Sequence, residues 1–229
     1  DAVAAINGGF WSMWQVPIGI AAGGGELWDN SAPDPEFGHF AVLSDGRAVV
    51  HGPGEAEDER SLARVTDALS GRPILVTRGE VDTEQLDAFQ SANQRQPRTA
   101  IGVSRRGDRA VLVVVDGRQD HSRGFTLYQL ARVMTELGVD RAINLDGGGS
   151  STMFVRNAGG IVSSPSRGRW LRALGLAQTQ TSEVRTADGV REVFVRGQER
   201  EVQTHLAVIA PPPRGAVAVD AHRSALGDG

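Results

Sequence analysis

The sequence predicts an α+β protein: a single domain with a mixed, largely antiparallel multi-stranded sheet packed by a few helices. Three observations carry this. Short apolar runs recur along the chain, and Asp, Asn or Gly stops nearly every one, as strands and turns require. Glycine supplies 29 of 229 residues, roughly double its usual share, so turns are frequent. One stretch alone, residues 126–137, has a strong helical period. At 40% hydrophobic residues the chain can bury a sizeable core.

In order, Ala-Val-Ala-Ala-Ile reads as a strand that breaks at Asn7, Gly8 and Gly9. Phe10, Trp11 and Trp14 follow, concentrating aromatic surface in a chain only 5% aromatic. Such faces stack on sugar rings, and they equally wall a core. Residues 19–25 are loose and glycine-rich, suited to a pocket cover or an ordinary surface loop. Residues 39–43 and 47–50 flank Asp45-Gly46, a hairpin signal. The acidic run 55–59 leads into Leu62, Val65, Ala68 and Leu69 at helical spacing with Gly71 as a stop, which predicts a helix.

Residues 73–77 read as a strand, and 80–92 as a polar stretch with a weak helical period. Arg98 opens the strand 98–103. The apolar run 108–115 ends at Asp116-Gly117-Arg118, again placing a carboxylate where a strand gives out. Thr126 caps the clearest helix and Gln129 completes a capping box; Leu127, Leu130, Val133, Met134 and Leu137 form one stripe, and Gly138 stops it. The helix feeds a strand of Ala142, Ile143 and Leu145.

That strand delivers Asp146 to its end, ahead of Gly147, Gly148 and Gly149. Three glycines can take φ > 0, leave no Cβ in a ligand's way and turn successive N–H groups to one point, an anion nest. Ser150, Ser151 and Thr152 add hydroxyls at its rim. The plainer alternative is a glycine-rich turn that Asp146 merely caps. Residues 152–155 read as a second strand, followed by a turn at 157–160 and another strand. Residues 163–169 are too polar for core. Residues 171–177 read as strand, 179–186 as a polar connector, and 190–195 and 202–209 as alternating strands before a stiff Pro211-Pro212-Pro213.

Composition excludes several chemistries. With no cysteine there are no thiol nucleophiles, disulfides or Cys-ligated zinc. All 24 basic residues are arginine, which removes Schiff bases, pyridoxal sites and a Walker phosphate loop. The net charge of −4 shows no basic face for nucleic acid. No apolar run reaches membrane-spanning length, and no signal peptide opens the chain, one being removable in a mature protein. His39, His51, His121, His205 and His222 are scattered without paired ligand spacing.

Together, Ile6-Asn7-Gly8-Gly9-Phe10, Arg98-Thr99-Ala100-Ile101-Gly102, Asp116-Gly117-Arg118, the helix after Thr126 and Asn144-Leu145-Asp146-Gly147-Gly148-Gly149-Ser150 resemble the phosphodiester glycosidase family, over roughly residues 3–177. The resemblance implies hydrolysis of the glycosidic C–O bond of a sugar-1-phosphodiester, releasing free sugar and a phosphomonoester. It also implies a secreted or cell-envelope location. Family members carry strands before the Asn-Gly-Gly-Phe motif and end soon after the strand at 171–177. Here residues 186–220 look like those missing strands. A circularly permuted or reordered chain is therefore expected, with 202–209 in the same sheet as the strand entering Asn7.

A phosphomonoester leaves as a stabilised anion, so the site needs donors around phosphate and a carboxylate near the anomeric carbon more than it needs an acid. Asp146 is assigned as nucleophile or base, Asn144 as its orienting neighbour, Arg98 as a bidentate charge and Asn7 with Gly8 as the opposing wall. Gly147, Gly148, Gly149, Ser150 and Ser151 would hold phosphate, with Asp116 and Arg118 nearby, or else ion-paired with each other or with neighbours. Trp11 would stack on sugar, and Arg169 matches an arginine that the family carries. No cofactor is required, though a calcium ion on Asp and backbone carbonyls stays open. A glycan-binding module without turnover and a metal-dependent phosphodiesterase are the alternatives.

Overall fold

The computed structural model of the chain describes residues 2–12, 14, 16–28, 34–166, 180–186, 189–195 and 204–209. Its strands are β1 (Ala2–Asn7), β2 (Ala21–Gly23), β3 (Glu26–Leu27), β4 (Gly38–Leu43), β5 (Ala48–His51), β6 (Val65–Gly71), β7 (Ile74–Thr77), β8 (Glu80–Val81), β9 (Arg98–Val103) and β10 (Ala110–Val115). Then come β11 (Arg141–Asn144), β12 (Met153–Val155), β13 (Gly160–Ile161), β14 (Gln180–Thr186), β15 (Gly189–Val195) and β16 (His205–Ile209). The helices are α1 (Glu59–Leu62), α2 (Thr83–Asp87) and α3 (Leu127–Glu136).

Two five-stranded sheets, ordered β3-β2-β6-β4-β5 and β10-β9-β11-β7-β8, and a four-stranded sheet β13-β12-β1-β16 make the body; β14 and β15 form a separate pair. Every pairing among the described residues is antiparallel, so the parallel component of the expected mixed sheet does not occur there.

The pleat sorts the strands' side chains into layers, because alternate residues face opposite sides of a sheet. From β9 and β11, Ile101, Val103 and Ile143 turn inward to meet Phe40 and Val50 of the other five-stranded sheet, with Ile6 and Leu145 alongside. Their neighbours Ala100 and Ala142 face the opposite way, onto Leu127, Leu130 and Met134 of α3 and Leu86 of α2. Fully burying each such leucine or methionine contributes about 2 kcal/mol. The helix forms where the stripe predicts. Thr126 accepts from Gln129 N and Gln129 answers to Thr126 N, the expected capping box, and Gly138 takes φ +72° just past the end.

Three expectations need correction. Leu62, Val65, Ala68 and Leu69 do not share a helix: only Glu59–Leu62 is helical, and Val65–Gly71 is the middle strand of its sheet, between β2 and β4. Buried on both faces, it lacks the period-2 pattern that would have marked it. Residues 179–186 are not a connector, since Gln180–Thr186 pairs with Gly189–Val195. In the segment 163–169, thought too polar for core, Ser163 and Ser166 are buried, and Ser163 accepts from Met153 N at 2.8 Å.

Strand β16 does pair antiparallel with β1, from Ala2↔Ile209 to Asn7↔His205, in the sheet that enters Asn7. A permuted chain requires this pairing, and an ordinary long-range pairing produces it equally. The strand expected at 171–177 and the prolines at 211–213 lie outside the described residues.

Candidate functional site

Strands β1 and β11 bring the two glycine-rich corners together. Asp146 N donates to Gly8 O at 3.2 Å, and Asn7 Nδ2 donates to Asp146 O at 2.7 Å. Both main-chain groups of Asp146 are thus pinned to the Asn7–Gly8 corner. Gly8 N in turn donates to Thr204 O at 2.8 Å, and a Cβ on Gly8 would sit 2.3 Å from Thr204 Oγ1. Only glycine permits that approach.

The carboxylate of Asp146 is half-buried. Oδ2 accepts from Trp11 Nε1 at 3.3 Å and Oδ1 from Gly147 N at 2.9 Å. Trp11 therefore meets Asp146 through its ring N–H, where stacking on sugar was expected of it.

Asn7 holds this corner from beneath. Buried in the sandwich, its Oδ1 accepts from Thr99 Oγ1 at 2.7 Å and from Thr152 N at 3.2 Å, so neither end of its amide is left for a ligand. Ser151 is buried there too, its hydroxyl 3.3 Å from Thr99 Oγ1, and Ser150 is fully buried with its hydroxyl unpartnered. Asn7, Ser150 and Ser151 thus lie buried beneath the loop, where a wall and rim had been expected of them.

The open space lies on the helix-side face of β9 and β11. There Arg98, Asn144, Gly147 and Gly148 line a cleft of about 270 Å³ whose other walls include Phe10 and Arg118. Asp146 stands at its edge, between the lining residues Leu145 and Gly147. Pleat parity explains the division: Asn144 shares the face of Ala142, while Thr99 shares that of Ile101.

The expected anion nest does not form. Gly148 alone of the three takes the left-handed backbone required, at φ +62°. Gly147 N is spent on Asp146 Oδ1 and Gly148 N on Pro97 O, while Ser150 N and Ser151 N close a 3-10 turn onto Gly147 O and Gly148 O. Backbone donors satisfied within the loop are not available to phosphate.

An arginine side chain faces the same loop. The Arg118 guanidinium lies over Gly148, both Nη atoms 3.3 Å from where a Cβ would be. Its Nε is anchored to Gln96 Oε1 at 2.6 Å, its backbone is held at φ +57°, and neither Nη has a partner among the described residues. A side chain other than glycine at positive φ stores strain, which accumulates at functional positions.

Arg98 is less free than expected. Buried, it donates Nε to Phe125 O at 3.1 Å and Nη2 to Ser91 O and Gln94 O at 3.0 and 2.7 Å, fixing the loops around the cleft. Burial, with Arg118 beside it, lowers its pKa to about 10, so it remains a cation at neutral pH. Asn144 donates Nδ2 to Arg72 O at 2.7 Å, and its buried Oδ1 is left unpartnered. Such an acceptor is costly unless a ligand donor meets it.

Asp116 turns away from the cleft. Its Oδ1 accepts from Ser164 N at 2.7 Å and its Oδ2 lies 3.7 Å from His121 Nε2, so it braces a loop rather than pairing with Arg118. Arg169 lies outside the described residues.

Sequence reasoning missed Phe89, Gln94 and Gln96 around the cleft, and also a histidine pair. His39 and His51 face each other across β4 and β5 with ring centroids 5.0 Å apart. The three-residue loop that holds Asp45-Gly46 sets that register. Among the described residues no group of three His, Asp or Glu has metal-holding geometry, and no helix is long and apolar enough to cross a membrane.

The protein is thus one of layered antiparallel sheets in which Arg98 and Arg118, without carboxylate partners among the described residues, stand at a cleft beside Asp146. The sequence matches the family described as phosphodiester glycosidase over residues 1–209, and the chain belongs to that family. The N-acetylglucosamine-1-phosphodiester alpha-N-acetylglucosaminidase of Bos taurus is 33% identical over 176 residues, covering 71% of this chain and 32% of that protein. The enzyme of the same name from Mus musculus is 32% identical over 175 residues, covering 71% and 33%. The chain thus spans about a third of the length of these curated relatives. The solved catalytic domain of the zebrafish enzyme of that name, auto-inhibited by its pro-peptide, matches with a TM-score of 0.60 at 28% identity, covering 72% of this chain and 56% of that one.

Proposed function

We propose that this chain is a hydrolase that cleaves the glycosidic C–O bond of a sugar-1-phosphodiester, releasing the free sugar and a phosphomonoester. The observation that carries the reading is Arg118, held in a strained backbone with both Nη atoms unpartnered over Gly148, next to the strand that ends in Asp146. A guanidinium fixed in this way suits bidentate recognition of a phosphate that gains charge as the bond breaks. Asp146, oriented by Trp11 Nε1 and Gly147 N, then acts at the anomeric carbon as nucleophile or as base for water. Asn144 Oδ1 accepts a hydrogen bond from the sugar. Among the described residues no Asp or Glu other than Asp146 at its edge stands at the cleft, which agrees with a leaving group that departs as a stabilised anion and needs little protonation. The N-acetylglucosamine-1-phosphodiester in the relatives' names supports that sugar as the first to test. The secreted or cell-envelope location belongs to the same proposal.

The test is hydrolysis of the methyl diester of α-N-acetylglucosamine 1-phosphate in 18-oxygen water. Label on the sugar is expected. Label on phosphate would mean P–O cleavage, and tight binding without product would mean a glycan-binding module.

A further inference from the structure

Thr99 is the polar exception among the side chains that β9 turns towards the other five-stranded sheet. It shares its face with Ile101, in a layer that includes Ile6, Ile143 and Leu145, and it is fully buried. Valine has the same shape and would fill that place without a polar atom. A hydroxyl desolvated there costs free energy unless its bonds are made, so its partners matter.

Those partners lie at both ends of the loop that begins with Asp146. Thr99 Oγ1 donates to Asn7 Oδ1 at 2.7 Å and lies 3.3 Å from Ser151 Oγ. A hydroxyl has one proton, and when the shorter contact takes it the oxygen is left to accept from Ser151. Asn7 Oδ1 also accepts from Thr152 N at 3.2 Å, which turns Asn7 Nδ2 to the Asp146 carbonyl at 2.7 Å. The Thr99 carbonyl itself accepts from Leu145 N at 2.9 Å. Thr99 thus reaches the main chain at Leu145 and Asp146 by two routes, its own carbonyl and the Asn7 amide, and it does not line the cleft.

We propose that Thr99 is a positioning residue for the reaction: its hydroxyl fixes the direction of the Asn7 amide, and that amide holds Asp146 where its carboxylate meets the substrate. The inference rests on the activity proposed above and assigns it one more residue. In Thr99→Val the Asn7 oxygen would keep only Thr152 N, and the amide that grips the Asp146 carbonyl would be held less firmly. The reacting group feels this more than the bound substrate does, because Thr99 touches neither Arg118 nor Asn144. A misplacement of about 1 Å at a reacting group costs up to about a hundredfold in rate.

Thr99→Val and Thr99→Ser are compared with the wild-type 229-residue chain on the methyl diester of α-N-acetylglucosamine 1-phosphate, with thermal melting as the control for folding. Thr99→Ala, which removes the same hydroxyl with less bulk, carries the test if Thr99→Val does not fold. The expected result for Thr99→Val is a kcat roughly tenfold or more below wild type with KM within about twofold. Thr99→Ser, which keeps the hydroxyl, should recover to within about threefold of wild type. A residue that only supported the fold would lower the melting temperature and leave the turnover of folded protein unchanged. A kcat within about twofold of wild type in folded Thr99→Val therefore overturns the proposal. Equal losses in Thr99→Val and Thr99→Ser overturn it too, since the hydroxyl is then not the group that acts.

A second readout is independent of turnover. Trp11 Nε1 donates to Asp146 Oδ2 at 3.3 Å, so the indole N–H resonance of Trp11, identified among the four tryptophans with Trp11→Phe, reports the carboxylate's position. It should move in Thr99→Val and stay in place in Thr99→Ser. If wild type leaves the diester intact, the activity reading fails by itself and this resonance decides. A signal moved in Thr99→Val alone supports the positioning role, and an unmoved one overturns it.

Discussion

His39 should make the protein acid-labile, and by a predictable amount. The side chain is 1% exposed and neither ring nitrogen has a hydrogen-bond partner. Burial, and the facing His51 after it, push its pKa from 6.5 down to about 4, with Glu55 opposing weakly. Glu55 is itself committed to Arg141, with Oε2 2.6 Å from Nη1, and its Oε2 lies 3.9 Å from His51 Nδ1, so no free carboxylate faces His39 to stabilise a charge.

The folded state therefore keeps His39 neutral while the unfolded chain takes up a proton below its ordinary pKa. The stability held above pH 6.5 is lost as pH falls towards 4. At about 1.4 kcal/mol per pKa unit, this one group removes about 2.5 kcal/mol between pH 7.5 and 4.5. Urea unfolding followed by tryptophan fluorescence at the two pH values measures the loss in wild type and in His39→Met. Groups common to both proteins cancel, and the wild type should lose about 2.5 kcal/mol more than the variant. Equal losses would show that the buried imidazole is not the proton acceptor and that the reasoning from its orphaned nitrogens is wrong.

Three further outcomes follow from the site. Asp146→Asn preserves shape, so turnover should fall by several orders of magnitude with substrate binding within about tenfold; an unchanged rate removes this carboxylate from the chemistry. Arg118→Met should lower kcat/KM about a hundredfold by removing charge-assisted bonds to phosphate, and wild-type kinetics would place phosphate elsewhere. Gly8→Ala puts a methyl 2.8 Å from the Thr204 carbonyl carbon and should cost about 1–3 kcal/mol in thermal unfolding. Full stability would mean that β16 is not held against this corner.

Much of the architecture could be read from residues alone where local chemistry decides it. Thr126 and Gln129 cap α3 because those side chains satisfy its first N–H groups, whatever lies beyond. Asp45-Gly46 makes its turn because Gly46 accepts φ +81°. The register was less legible: a two-residue turn on Asp45-Gly46 would set His39 against Gly52, and the His39–His51 pair arises because Leu43 N donates to Arg47 O and leaves a three-residue loop. The strand Val65–Gly71 was not legible in this way, since burial on both faces erases alternation and leaves a spacing that imitates a helix.

At the site, the meeting of the Asn7 and Asp146 corners followed from their shared pattern of strand, polar residue and glycine. Which of their groups remain open did not. Whether Gly148 N serves a ligand or Pro97 O depends on a loop about fifty residues away in sequence. The burial of Ser150 and Ser151 likewise depends on how the sheets stack. Residue type announces what a side chain can do, and tertiary packing decides whether the capacity is already spent.

The tie between Gly8 and Thr204 has a consequence for biosynthesis. On the ribosome, the edge of β1 must wait with its amides in water or on a chaperone until the far later segment His205–Ile209 emerges. Gly8, whose carbonyl receives Asp146 N, finds the acceptor for its own N–H only when that strap is fastened. A nascent chain halted before Thr204 would carry all the residues assigned to catalysis with this corner still open to water.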